Sequence, residues 1–488
     1  MKKLKLIFFI SIFFLFWWKG ATFLDPDFGW HLRTGQIIIE KGIPKTDPFS
    51  YTMPNYHFVD HEWLSDVLIA KLYPIIGMYG LTGFFGFIGS LSIFLVSISL
   101  GRKWFIVPLL LVSASLLPFV GIRPQLITWL FFAVILQFVL SSNLWKKYKF
   151  FLPFMFLLWA NLHGGFVIGL AVLLIVFFLR LVREIRGIRR IGEEFAILFF
   201  CSAVTLVNPY GFNLWREIWF SMSDGSLRWS IAEWFPAIFI LNFTLWFFFS
   251  FSLVMLLRFR KKINALELIL YFGLLLPGLL SIRNMPFWLL LAFPLTYRTI
   301  EFFSEEIKNI KGAVSRLNKA YFIFLSIVSI FVLFQVYFSF FSNNFSNDFY
   351  PEKAIDFLKI NKPKGQIFSE YGWGGYLIWK MPSKKVFIDG RMPSWRKDNY
   401  YAFGEYRDLI SGKKKFKTVT EKYKIDTVLL PIPKKSVEKS KLLKTVETLE
   451  EKIFFREKRG EDIYTQLKKM GWKEIYKDSV SVIYQIPG

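Results

Sequence analysis

Reactive and charged groups are scarce in this chain. It has one cysteine, Cys201, in 488 residues, and four histidines. Cys201 lies in an apolar segment, so neither a disulfide framework nor a cysteine metal cluster is available. Charged residues make up 20% of the chain and hydrophobic ones 54%, with 59 Phe and 18 Trp. A soluble domain cannot bury that much apolar surface. Leu6–Trp18, Gly83–Leu100 and Phe243–Leu257 carry no charge at all, which makes membrane-spanning helices the default reading. A secreted disulfide scaffold, a disordered chain and a typical cytosolic enzyme are excluded. The phosphate-loop pattern, the GxSxG elbow and HExxH are all absent. So is an internal repeat, which weighs against a repeat-built transporter.

Acidic residues are outnumbered 36 to 61, for a net charge of +25. On a soluble protein that excess would suggest nucleic acid. Here it follows topology, because Lys and Arg gather in cytoplasmic loops. The amino terminus resembles a signal peptide without a small-x-small cleavage site, and reads as an uncleaved first helix starting in the cytoplasm. About eleven spans follow from the length a bilayer requires: 4–22, 77–100, 104–121, 125–142, 149–162, 165–182, 194–208, 236–257, 264–282, 286–300 and 320–341. The connections at Arg102/Lys103, Lys146–Lys149, Arg183–Arg190, Arg258–Lys262 and Lys308–Lys319 then face the cytoplasm. Nucleic acid is therefore not expected as a partner; the bilayer is.

The expected fold is an α-helical polytopic membrane protein with a carboxyl-terminal extracytoplasmic α/β domain. Residues 1–345 form the membrane module, including a large first external loop (23–76), and residues 346–488 form the soluble domain. A second outer connection covers about 209–235. Ile37–Ile39 and Trp63–Leu72 are amphipathic and suit an interface. In the terminal domain Pro351–Asn361 has helix periodicity. Gln366–Ser369, Lys385–Ile388 and Thr427–Leu430 read as buried strands, and Trp472–Ile486 as a hairpin turning at Lys477–Ser479.

Polar residues collect on the expected outer side. All four histidines, His31, His57, His61 and His163, map there, with Asp25, Asp27, Asp60, Glu62 and Asp66 of the first loop. Other outer helix ends carry Arg123, Glu233-Trp234 and Arg283. Charged groups near membrane depth are costly and tend to have partners or functions. Asp25-Pro26-Asp27-Phe28-Gly29 forms a turn that would hold two carboxylates and His31 at the membrane surface. Asp25 also suits a plain turn role. Asp60-His61-Glu62 opens an amphipathic helix, where acidic residues either complement the helix dipole or bind an acceptor or metal. Asp389 and Arg391 end a strand candidate and could touch an acceptor, although Gly-rich segments there also suit simple turns.

The run DPDFGWHLRTGQIIIEKGIPKTDPFSYT, with FVDHEWLSDVLIAKLY after it, resembles a group of bacterial membrane proteins near the C-type (GT-C) glycosyltransferase superfamily. The resemblance covers residues 25–73, with echoes at GIRPQ, WANLHGGF, NPYG and FIDGR. Neither the adjacent Asp-Glu of the protein mannosyltransferases nor the Trp-Trp-Asp of oligosaccharyltransferases occurs, so donor and acceptor identities do not carry over. The resemblance implies a multi-pass protein of the cell (cytoplasmic) membrane that transfers a sugar from a polyprenyl-phosphate donor. Its acceptor would be a glycan, lipid or protein on the extracytoplasmic face.

By motif position Asp27 is the expected base, assisted by Asp25 and His31. Arg123 and Arg283 would hold the donor phosphate as cations that keep their protons, with His163 beside them. Asp60, His61, Glu62, Glu233, Trp234, Asp389 and Arg391 are the acceptor-side candidates. No cofactor is required. A divalent metal ion is left open, since His31, His61, Asp27 and Glu62 are suitable ligand types without a fixed ligand spacing. The alternatives are a lipid or polysaccharide transporter and a non-catalytic envelope assembly protein.

Overall fold

The computed structural model describes all residues except 1, 102–103, 184–187, 226, 309–312, 342–348, 434–460 and 488. Several expected cytoplasmic positions, Arg102, Lys103 and parts of the loops after Arg183 and Lys308, lie outside the described residues, as does the expected domain start at Asn347. The chain forms two compact units. One joins Met1–Leu24 to Asp60–Asn343, and the other joins Asp25–Val59 to Asn344–Gly488.

The first unit is helical. Lys2–Thr22, Trp63–Ser97, Ile106–Leu116, Gln125–Leu140, Leu152–Leu162, Phe166–Arg183 and Ile188–Val204 are followed by Phe212–Ser223, Phe243–Phe259, Ala265–Leu280, Met285–Lys308 and Ala313–Phe341. Each expected span thus falls on a helix. Among the described residues, four helices are long and apolar enough to cross a membrane: Lys5–Thr22, Trp63–Ser97, Phe243–Lys262 and Lys319–Phe340. Gln125–Leu140 and Ser142–Leu162 could form a fifth span, bent by 112°, and three further apolar helices are shorter. These lengths do not establish a count of about eleven spans. The amphipathic stretch at Trp63 and the span expected from 77 are one helix by hydrogen bonding, broken at Gly77, whose φ is 62°. Only glycine adopts that backbone without strain.

Packing against the first helix follows from small residues. At Gly86 an added Cβ would stand 3.0 Å from the Trp17 backbone nitrogen, so the two helices touch backbone to backbone. Lys5 then caps the partner helix, its Nζ donating to the carbonyls of Ser97, Ile98 and Leu100 at 2.8, 3.0 and 2.6 Å. Those carbonyls are the acceptors a helix end leaves open. Trp129, Trp159 and Trp288 are fully buried in this unit.

The second unit is α/β. Strand β1 (Gln366–Ser369) runs parallel to β2 (Ile425–Pro431). Strands β3 (Lys473–Lys477) and β4 (Ser481–Gln485) make the terminal hairpin, and β4 pairs antiparallel with β2, giving the order β1-β2-β4-β3. Central β2 buries Val428, Leu429 and Leu430, while Lys473 and Lys477 are exposed on edge strand β3. Charged side chains on an edge discourage further pairing. Glu352–Asn361 is helical as expected. Lys385–Ile388 is not a strand of the sheet; Val386 instead makes an isolated bridge to Ser50.

The bridge belongs to a wider set of ties between the first-loop segment and the terminal one, which form a single compact unit. Asp25–Val59, read as part of the membrane module, folds with the terminal segment. Tyr51 Oη donates to the Ile367 carbonyl at 3.0 Å and Thr52 Oγ1 to that of Phe387 at 2.6 Å. At Gly29 an added Cβ would meet the Gly375 carbonyl oxygen at 1.9 Å, so the helix Phe28–Lys41 lies against Gly374–Lys380 with no room for a side chain.

The strongest tie is Arg391. Its Nη2 meets Asp47 Oδ1 at 2.9 Å and Asp389 Oδ2 at 2.7 Å, and its Nε donates to Asp389 Oδ1 at 2.8 Å. Phe49, Phe58 and Trp395 lie 4.8, 5.0 and 5.1 Å from the guanidinium. Burial opposes the charge, but the two carboxylates more than offset it and push the pKa up. Breaking one side of such a buried pair costs about 3–5 kcal/mol. We therefore expect Asp47→Ala to lower the stability of this unit by about that amount, read by pulse proteolysis of the full chain across a urea series. A midpoint equal to wild type would contradict the structural role.

Candidate functional site

The site is built in the helical unit from loops far apart in sequence. Asp60 closes the turn before the helix Trp63–Ser97, its Oδ1 accepting from the Glu62 amide at 3.0 Å. The helix is fixed to the loop after Leu152–Leu162 by two bonds: Trp63 Nε1 donates to Asn161 Oδ1 at 2.9 Å and Ser65 Oγ to the Leu162 carbonyl at 2.5 Å. Both sides are thereby held while Glu62 meets His163.

Glu62 stands between two imidazoles. Its Oε1 lies 3.3 Å from His61 Nε2 and 3.2 Å from His163 Nε2. Glu62 and His163 are buried, whereas the His61 side chain is 35% exposed. Behind His163, the Gly165 amide donates to Nδ1 at 2.8 Å and Thr128 Oγ1 lies 2.8 Å from the same nitrogen. Thr128 Oγ1 in turn accepts from Trp159 Nε1 at 2.8 Å. A Cβ at Gly165 would stand 2.6 Å from Thr128 Oγ1 and 2.8 Å from His163 Nδ1. That position therefore admits glycine alone.

A second pair lies in the same unit. Arg123 Nη1 meets Glu233 Oε1 at 2.7 Å. The Glu233 loop is held to the Arg283 segment by the Ile282 amide, which donates to the Phe235 carbonyl at 2.9 Å. Arg283 lies over the Trp234 ring at 5.2 Å and, among the described residues, has no carboxylate at ion-pair distance. The two arginines thus differ: Arg123 is engaged by Glu233, and Arg283 faces the Trp234 ring.

The charges act on one another. Arg123 is the largest influence holding the Glu233 carboxyl below its ordinary range, and Arg283 adds to it. Burial pushes Glu62 up, but the charges and contacts of His163 and His61 hold it well below the ordinary glutamate value. For His61, burial pulls down, yet Glu62 and the charge of Asp60 carry the pKa above the ordinary value. For His163, burial dominates and Glu62 only partly offsets it, while His61 and Arg283 push the same way as burial, so its pKa falls.

The expected residues of the α/β unit sit otherwise. Asp25 is buried and closes a turn, its Oδ1 accepting the Asp27 amide at 2.9 Å. Asp27 is half-buried and its Oδ1 accepts from Trp30 Nε1 at 2.9 Å. His31 is buried with its ring 3.6 Å from that of Trp30. Asp389 and Arg391, expected as acceptor contacts, form the buried pair with Asp47 described above; their charges are spent on folding the unit. The sequence reading passed over Thr128 and Trp159, which lie inside apolar runs. The one available signal was a lone hydroxyl and a lone indole N–H at depths where either needs a partner.

No protein-family model and no curated protein sequence matches the chain. Solved structures do. The archaeal oligosaccharyltransferase AglB from Archaeoglobus fulgidus, in complex with an inhibitory peptide and a dolichol-phosphate, matches with a TM-score of 0.60 at 12% identity, over 100% of this chain and 74% of that one. An Archaeoglobus fulgidus oligosaccharyltransferase in complex with Zn and sulfate matches with a TM-score of 0.57 at 13% identity, over 96% of this chain and 70% of that one. ArnT from Cupriavidus metallidurans bound to undecaprenyl phosphate reaches 0.48 at 11% identity over 98% and 97% of the two chains, too slight to bear on the argument. At these identities the AglB likeness shows a shared fold and nothing finer.

Glu62 sets a pH dependence with opposite signs at its two neighbours. The raised pKa of His61 stabilises the fold below histidine's ordinary value, a contribution lost as pH rises through the raised value. His163, held neutral, costs stability as pH falls below the ordinary value. With four histidines in the chain, ring titration by histidine-selective NMR in nanodiscs is tractable. His61 should titrate above its ordinary value and His163 below it, and Glu62→Gln should bring His61 down. A His61 midpoint unmoved by Glu62→Gln would sink this coupling.

Proposed function

We propose that the protein is an integral-membrane glycosyltransferase that moves a sugar from a polyprenyl-phosphate-linked donor to an acceptor hydroxyl on the extracytoplasmic face. The observation that carries this reading is the convergence, within the helical unit, of Asp60–Glu62, Arg123, His163, Glu233 and Arg283 on a fold shared with AglB. AglB was crystallised with dolichol-phosphate, a lipid phosphate of the donor's class. A cation beside an aromatic ring suits a phosphate followed by a sugar: Arg283 offers planar paired donors to the anion and Trp234 offers a face on which a sugar ring stacks. Arg123 would share its charge between the phosphate and Glu233.

The reaction is a substitution at the anomeric carbon. The acceptor oxygen forms the new bond to that carbon as the bond to the phosphate oxygen breaks, and the electron pair leaves on the polyprenyl phosphate. The acceptor proton passes to a carboxylate, with inversion at carbon. Asp27 is the proposed base: it is half-buried and oriented by Trp30, whereas the Asp25 side chain is committed to its turn.

The reading is tested with the full chain in liposomes, offered polyprenyl-phosphate sugars and candidate acceptors, with transfer read by mass spectrometry. In single turnover with saturating donor, Asp27→Asn should cut the chemical step by roughly 10²–10⁴. Asp25→Asn should cost less, and His31→Ala an intermediate amount. Full turnover in Asp27→Asn with a large loss in Asp25→Asn would move the base; full turnover in both would remove it from this segment.

A further inference from the structure

His163 looks like a candidate metal ligand, since it lies beside a carboxylate and a second histidine in a fold shared with an Archaeoglobus fulgidus oligosaccharyltransferase crystallised with Zn. Its hydrogen bonds say otherwise. The Gly165 amide donates to Nδ1 at 2.8 Å. A backbone N–H can only donate, so Nδ1 must present its lone pair and carries no proton. A bare Nδ1 has no proton to give to Thr128 Oγ1, so in that contact the Thr128 hydroxyl is the donor, while its oxygen accepts the Trp159 indole proton. Thr128 and Trp159 are fully buried, so no water takes their place. With Nδ1 bare, the neutral ring must carry its proton on Nε2. That nitrogen is buried 3.2 Å from Glu62 Oε1, off the hydrogen-bond line, and has no hydrogen-bond acceptor among the described residues.

We infer that Thr128 and the Gly165 amide fix His163 as the neutral Nε2–H tautomer, so that it offers this site a hydrogen-bond donor for a ligand oxygen and cannot serve as a metal ligand. Ligation through Nε2 would require the proton to move to Nδ1, directly against the Gly165 N–H. Ligation through Nδ1 would require the metal to displace both the amide and the Thr128 hydroxyl from a buried nitrogen. The positioning residue is Thr128, acting through His163. That the ligand oxygen belongs to the donor phosphate rests on the proposed transfer reaction; the tautomer does not.

The test is ¹⁵N NMR of the full chain, histidine-labelled in nanodiscs, with the His163 signals assigned by their loss in His163→Gln. Wild type should show a protonated Nε2 and a bare Nδ1, and stoichiometric Zn²⁺ should leave both unshifted. Thr128→Val should move the Nδ1 resonance as its lone pair loses a donor, and Thr128→Ser should restore it. A protonated Nδ1, a saturable Zn²⁺ shift at Nε2, or a Thr128→Val spectrum equal to wild type would each overturn the inference. Adding polyprenyl phosphate should shift Nε2–H. Failure of that shift alone would count against the transfer reading at this residue and leave the tautomer standing.

Discussion

An ionised carboxylate away from water is tolerated only where donors or opposite charge meet it, and in the helical unit His61 stands 3.3 Å from Glu62 to meet that condition, with the neutral His163 ring on its other side. Much of the local structure serves that meeting. Asp60 closes the turn that presents Glu62, Trp63 and Ser65 hold the loop that presents His163, and Thr128 with Gly165 sets the ring. The charge is then balanced at longer range by Arg283, which is felt by His61, His163 and Glu233 alike. Low dielectric makes such a network stronger when satisfied and more costly when broken. Its residues therefore constrain the ends of several helices at once.

The α/β unit answers the same condition differently. Arg391 is buried with two carboxylates and ringed by aromatic side chains. Its role is to bind the segment after the first helix to a partner 344 residues later. Asp27 belongs to that same unit, braced by Trp30 on a helix that packs glycine to glycine against Gly374–Lys380. A proposed base held this firmly is already oriented before substrate arrives, which is what general-base catalysis needs.

Local signals in the sequence were legible where a residue's role depends on its neighbours. Strand β1 falls on Gln366–Ser369 as the apolar run implied, and Lys477–Ser479 lies at the turn between β3 and β4. The break at Gly77 separates an amphipathic stretch from an apolar one, as composition alone suggested. Long-range pairing was not legible. Asp389 and Arg391 read as strand-end groups for an acceptor and Asp47 drew no reading, because the sequence does not record which distant charge each one meets. The same gap hid the division of the chain, in which Asp25–Val59 leaves the helices around it and joins the terminal segment. Thr128 and Trp159 were lost for another reason: apolar periodicity describes which side chains face lipid or core, and it has no term for a hydroxyl spent on orienting an imidazole. Arg123 and Arg283 were read as equivalent, and only the Glu233 pairing separates them.

The account stands or falls on whether the charged cluster of the helical unit holds a lipid-linked phosphate. Binding of a polyprenyl phosphate to the full chain in nanodiscs, followed by native mass spectrometry, measures this without any knowledge of sugar or acceptor. Wild type should bind saturably, and Arg283→Ala should weaken binding by about 2–4 kcal/mol for loss of a desolvated charge contact. Arg283→Lys should recover part of it, because the charge returns without the planar fork. Equal affinity in wild type, Arg283→Ala and Arg123→Ala would contradict the account and place the phosphate elsewhere.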